Sequence, residues 1–242
     1  PTDNNKRRRF FDTPSVIQVN DTEFSDENNY DYVLIGSGYR AHPLNTTVHD
    51  RFYAFRDFFG SKQMGDEDGD NVSEANDAYP QPSGTAFRDS NLVDLTTTIL
   101  DSSEPSHKGA GGWFYDFTAQ GAIGEKVLSS PVTANFTTLF TTFTPESSTS
   151  ASNPCGASLG LGKAYAFNIL SGAAALDFNG DGTIDINDRS FALSGGIPSS
   201  VVPVFTNQGI VAIVGVSGGT QNLGLLTRSD PQRTHWIEGT DF

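Results

Sequence analysis

The sequence holds one cysteine, one methionine and two tryptophans in 242 residues. With Cys155 alone, no disulfide forms within the chain and no cysteine-rich zinc site is available. The thiol is either free or paired with a segment outside this sequence. Basic residues are also scarce, 15 Lys+Arg against 29 Asp+Glu, for a net charge of −14. That excess repels phosphate backbones, so no nucleic-acid partner is expected. The one basic run, Lys6-Arg7-Arg8-Arg9, reads as a solvated linker. Nowhere does the chain approach the roughly 18 apolar residues of a spanning helix, so it is not expected to cross a membrane. It opens Pro1-Thr2-Asp3, with neither an initiating Met nor a signal peptide, and reads as a processed product or a fragment.

What is abundant is glycine (25), phenylalanine (18) and small polar residues. This mix favours turns and short strands. Strand-like runs fall at Tyr30 to Ser37, Arg51 to Asp57, Gly111 to Thr118, Val132 to Thr144, Lys163 to Leu170, Val201 to Thr206 and Gly209 to Ser217. Each is β-branched or aromatic and bounded by Gly, Pro, Asn or Ser. Ser90 to Leu100 is the one helix candidate, with Ser90 as cap and Leu92, Leu95 and Ile99 on one face. Two polar stretches, at about residues 60–85 and 145–162, read as long loop insertions. Strands cluster with turn chemistry between them and βαβ alternation is absent, so the expected fold is all-β and antiparallel. At about 40–45 residues per blade, a β-propeller would take about four to five blades from this chain. A sandwich or barrel satisfies the same periodicity.

The sharpest local signal is the dodecamer from Asp177 to Asp188, DFNGDGTIDIND. Oxygen side chains fall at positions 1, 3, 5, 9 and 12, glycine at 6 and isoleucine at 8, the pattern of a calcium-binding EF-hand loop with Asp instead of Glu at 12. A hard cation takes six to eight oxygens at about 2.3–2.6 Å, and alternate residues of a tight loop supply them. In this register Asp177, Asn179 and Asp181 give side-chain oxygens and Thr183 its carbonyl. Asp185 ligates directly or through water, and Asp188 closes the site around calcium (Ca2+). Ile184 is expected to pack on the neighbouring core. Four carboxylates clustered without a cation would repel one another. Upstream, Lys163 to Leu170 with Ser171-Gly172 reads as a strand and turn, and Arg189 to Leu193 is too short to assign, so the flanks are not those of a paired EF-hand. A second acidic stretch, Asp66 to Glu74, lacks the glycine and reads as a solvated loop.

Other motifs carry less. Gly36-Ser37-Gly38-Tyr39-Arg40-Ala41 fits a dinucleotide-binding fingerprint, but the following His42-Pro43-Leu44 is a poor helix start. His42, His49 and Asp50 read as ordinary loop residues, and no local motif marks a Ser-His-Asp triad.

Several segments, taken in order, resemble the PilY-type pilus-tip adhesins. They are Tyr32 to Arg40 with Pro43-Leu44, Asp50 to Asp57, Gly112 to Phe117, Gly124 to Leu128 with Ser130-Pro131-Val132, and Phe140 to Pro145. Asn153 to Gly156, Ala164 to Asn168 with Ser171-Gly172, and the terminal Thr234 to Glu238 continue the resemblance over roughly residues 30 to 240. It implies that residues 30–242 are the C-terminal part of a β-propeller domain, with residues 1–29 as an N-terminal extension or linker. It further implies a non-enzymatic protein at the pilus tip or outer cell surface, acting in type IV pilus biogenesis and adhesion, with calcium as a regulator. The implied partners are pilin or minor pilin subunits and a host or surface receptor. The family's best-known calcium loop is shorter and lies between blade strands, whereas this one is a full dodecamer. Two other readings exist. Ala164 to Gly172 resembles a strand-turn repeat of quinoprotein-like dehydrogenase propellers, and the dodecamer is also a dockerin-like signature, although a dockerin needs two such loops.

Overall fold

The computed structural model describes residues 7–24, 29–57, 89–108, 110–117, 123–145 and 159–227. Most of both polar insertions, Cys155, the acidic stretch Asp66 to Glu74 and the terminal Thr234 to Glu238 lie outside them.

The described residues are nearly all β, in three sheets. The first holds β1 (Ser15–Asn20), β2 (Asn29–Gly36), β3 (Arg51–Asp57), β4 (Val93–Asp94) and β5 (Gly112–Asp116), in spatial order β1-β2-β3-β5-β4. All its pairings are antiparallel except β4 with β5. The second holds β6 (Lys126–Val127), β7 (Val132–Ala134), β8 (Thr137–Thr144), β9 (Leu161–Asn168) and β10 (Ser190–Ala192), in order β10-β9-β8-β6 with β7 also on β8. The third is the meander β11 (Val201–Thr206), β12 (Gly209–Val216) and β13 (Gly219–Thr227). The α-helix among the described residues is a single turn, Pro105–Lys108. No closed barrel or closed propeller is formed by these residues. Three sheets stand where repeat length alone suggests four or five blades, because two of them recruit five strands each.

Sheet order follows from side-chain alternation, since successive residues of a strand face opposite ways. In β8, Phe140 points to the first sheet and Leu139 to the third; in β9, Tyr165 and Phe167 point to the first and Ala164 and Ala166 to the third. Large aromatics therefore fill one interface. Phe140 stacks on Phe52 at 3.9 Å and on Tyr165 at 5.0 Å, and Trp113 meets Phe167 at 5.7 Å. Small residues fill the other, where Ala164, Ala166 and Leu139 meet Val201, Ala212, Val214 and Leu223. The second sheet is thus buried on both faces.

The segment Gly124 to Leu128 forms a polar strut within this core. Glu125 is fully buried and accepts hydrogen bonds from the Tyr165 hydroxyl at 2.6 Å, the Thr142 hydroxyl at 2.7 Å and Lys163 Nζ at 3.0 Å. Its neighbour Lys126, also buried, donates to the carbonyls of Pro43 and Asn45 at 2.8 Å and to that of Gly124. Buried charge is tolerable only when satisfied in this way. On the β2 turn, a Cβ at Gly38 would meet the Val127 carbonyl oxygen at 1.9 Å, so only glycine allows this approach.

Four sequence expectations differ from the structure. The basic run is not free: Arg9 lies 3.9 Å over the Tyr39 ring, and Arg8 donates to the His49 carbonyl at 2.8 Å and pairs with Asp89 at 3.1 Å. The segment read as an extension also supplies β1, which pairs along its length with β2. Ser90 to Leu100 is not a helix. The Asp94 carboxylate captures the Thr96 N–H at 2.9 Å, and the Leu95 N–H donates to the Phe114 carbonyl at 2.9 Å, so local and long-range bonds displace helical ones. Finally, Val132 to Thr144 is two strands, folded at Asn135 and Phe136, whose φ angles of 49° and 56° make a hairpin turn.

Phe140→Ala should cost about 3–5 kcal/mol, as for a buried aromatic emptied from a close-packed interface. Urea unfolding followed by fluorescence measures this, and a cost under about 1 kcal/mol would contradict the packing described.

Candidate metal-binding loop

The dodecamer connects two paired strands. β9 runs into a turn at residues 169–172, Ala174 bridges back to Phe167, the loop follows, and a 3-10 turn (Ile186–Arg189) leads into β10, which pairs with β9. Apolar residues on either side seat it. Leu176 and Phe178 enter, Phe191 and Leu193 leave, all against the cluster between the second and third sheets, with Phe178 and Phe191 rings 5.6 Å apart.

Inside the loop the side chains of Asp177, Asn179, Asp181, Asp185 and Asp188 each take a backbone N–H. Asp177 accepts from Gly180 at 2.7 Å and from Gly182 at 2.9 Å. Asn179 accepts from the Asp181 N–H at 2.8 Å and donates to the Asp181 carboxylate at 3.1 Å, while Asp181 accepts from the Thr183 N–H at 2.8 Å. The bends fall at Gly180 (φ 73°) and Gly182 (φ 85°), the left-handed region that glycine enters without strain.

The far end is tied to the start. Asp188, fully buried, accepts from the N–H groups of Phe178 and Asn179 at 3.0 Å each through one oxygen, and from that of Asp185 at 3.0 Å through the other. Asp185 caps the 3-10 turn and accepts from the Asn187 N–H at 2.7 Å, so Asp185 and Asp188 form a capping box. These backbone donors, that of Asp185 foremost, hold the Asp188 carboxyl below its ordinary value of 3.8.

The next residue turns the other way. Arg189 is 2% exposed, donates to the Leu95 carbonyl at 2.7 Å and to that of Thr98, and lies 5.8 Å from the Tyr115 ring centroid and 5.6 Å from that of Phe167. It bolts the loop to the segment after β4. Sequence reasoning missed it, since nothing local marks a buried arginine.

All six expected ligands, Asp177, Asn179, Asp181, Thr183, Asp185 and Asp188, lie in this single loop, and the structure joins them through backbone bonds. The donor set is all oxygen, the chemistry a hard divalent cation takes. Among the described residues, no three His, Cys, Asp or Glu side chains converge closely enough to hold an ion by themselves. The loop is therefore shaped but not drawn in to a coordination shell. Ile184 departs from expectation. It is 55% exposed instead of packed on the core, because Leu176 and Phe178 already fill that place.

With chelator present, ionised Asp188 should stabilise the fold above the unfolded carboxyl value of about 3.9, and that contribution should vanish as pH falls through the lower folded value. The melting-temperature gap between wild type and Asp188→Asn should accordingly be widest near neutrality and shrink below about pH 4. A gap that stays constant to about pH 2 would contradict the bonding described.

Among solved structures, the fold is similar to the crystal structure of the Pseudomonas aeruginosa PilY1 C-terminal domain, with a TM-score of 0.53 and 15% identity over 90% of this chain. The chain spans 45% of that one, so less than half its length is matched. At this identity the likeness is one of fold alone. No protein-family model and no curated protein matches the sequence. No helix among the described residues is long and apolar enough to cross a membrane.

Proposed function

We propose that this chain is a calcium-binding, non-enzymatic module of a pilus-tip or outer-surface protein, acting in type IV pilus biogenesis and adhesion. The observation that carries the calcium part is the dodecamer strung between two paired strands, its oxygen donors already fixed in order by backbone N–H groups. A divalent cation among them would offset the mutual repulsion of four carboxylates and draw the loop closed. The pilus part is supported by the sequence resemblance and by the fold shared with the PilY1 C-terminal domain.

In this reading the three sheets, each packed on the next through one apolar interface, are consecutive blades of a partial β-propeller. Partners are pilin or minor pilin subunits and a surface receptor, met outside the cell. The quinoprotein-like alternative draws on Ala164 to Gly172, where Tyr165 and Phe167 are spent on core packing. A cofactor absorbance band in the purified protein would favour it.

Calorimetry with calcium should show saturable binding to the wild type. At about 100 times the dissociation constant, binding to the folded state adds about 2.7 kcal/mol, which raises the melting temperature by roughly 5–10 °C. Asp177→Ala combined with Asp181→Ala should show neither effect. A wild type indifferent to millimolar calcium ends the proposal.

A further inference from the structure

Three of the exposed large hydrophobic side chains border one groove. Ile99 is 48% exposed, Ile184 55% and Ile186 43%, and together with Leu100 they line a cleft of about 670 Å³ between the calcium-type loop and the segment after β4. Its lining contains two carboxylates, Asp101 and Asp185, and no basic side chain. Hydrogen bonds between the two walls fix their spacing. Arg189 ties the loop side to the Leu95 and Thr98 carbonyls, and the Leu100 N–H donates to the Ser171 carbonyl at 2.8 Å. Asp101 is set in place by accepting from the Ser103 N–H at 2.8 Å and hydroxyl at 2.6 Å, while its own N–H donates to His107 Nδ1 at 2.9 Å.

We propose that this groove docks a peptide segment of a partner protein that presents apolar side chains flanked by Lys or Arg. Exposed isoleucines gathered in a preformed cleft gain by burial, at roughly 25 cal/mol per Å² of apolar surface removed from water. The charge rule comes from the carboxylates at the groove, reinforced by the chain's net charge of −14. The same charge disfavours an anionic lipid surface. The groove's shape and charge carry this inference, and it does not rest on calcium binding.

The test uses fluorescein-labelled Gly-Lys-Leu-Phe-Lys-Gly, measured by anisotropy without added calcium. Controls are Gly-Glu-Leu-Phe-Glu-Gly and Gly-Lys-Ser-Ser-Lys-Gly. Wild type should bind the first peptide and neither control. Ile99→Ser combined with Ile184→Ser should weaken binding about tenfold or more, and Asp101→Asn severalfold. Both isoleucines are exposed, so the variants should stay folded, which circular dichroism checks. Absence of binding at millimolar peptide, equal affinity in wild type and the double variant, or preference for the glutamate peptide would overturn the proposal. So would groove-dependent capture by phosphatidylglycerol vesicles in place of the peptide.

Discussion

The second sheet, buried on both faces, is the constraint on which the rest of the molecule depends. An antiparallel sheet usually keeps one wet face. Here the alternation in β8 and β9 sends aromatics one way and small aliphatics the other, so two interfaces of different depth form on one sheet. The aromatic interface is strong because ring stacking adds to area burial. The aliphatic interface allows close approach of the third sheet. Strand β9 of the second sheet then fixes where β10 pairs, and that pairing sets the two ends of the dodecamer loop.

At the loop's end two adjacent residues do opposite jobs. Asp188 faces inward to the loop and gathers the amides of Phe178, Asn179 and Asp185, while Arg189 faces the core and reaches across to the segment after β4. Consecutive residues thus anchor the loop to itself and to that segment. The groove lined by Ile99 and Ile184 lies over this junction, with one wall from each element. Arg189 is the tie that the loop and the groove have in common.

Much of this was legible in the sequence where periodicity carried it. The runs at Arg51 to Asp57 and Val201 to Thr206 are strands with those bounds, the first rich in aromatic and the second in β-branched residues. β1 was hidden, since Ser15 to Asn20 is short, half polar and meaningful only beside β2. The helix expected at Ser90 to Leu100 failed through Asp94, whose side chain competes for backbone donors, and through a bond to distant Phe114. The loop's ligand spacing was readable, yet the exposure of Ile184 was not. That depends on which neighbours reach the core first. Arg189 was invisible for the same reason, its surroundings coming from β5, β9 and the segment after β4.

In the proposed reading the dodecamer closes around calcium while its flanking strands hold still. A crystal structure grown with calcium tests it most directly. One ion should lie in the loop, about 2.3–2.6 Å from oxygens of Asp177, Asn179, Asp181, Thr183 and Asp188, with β9 and β10 unmoved. A loop that keeps its backbone-bonded carboxylates and holds no ion at millimolar calcium would contradict it.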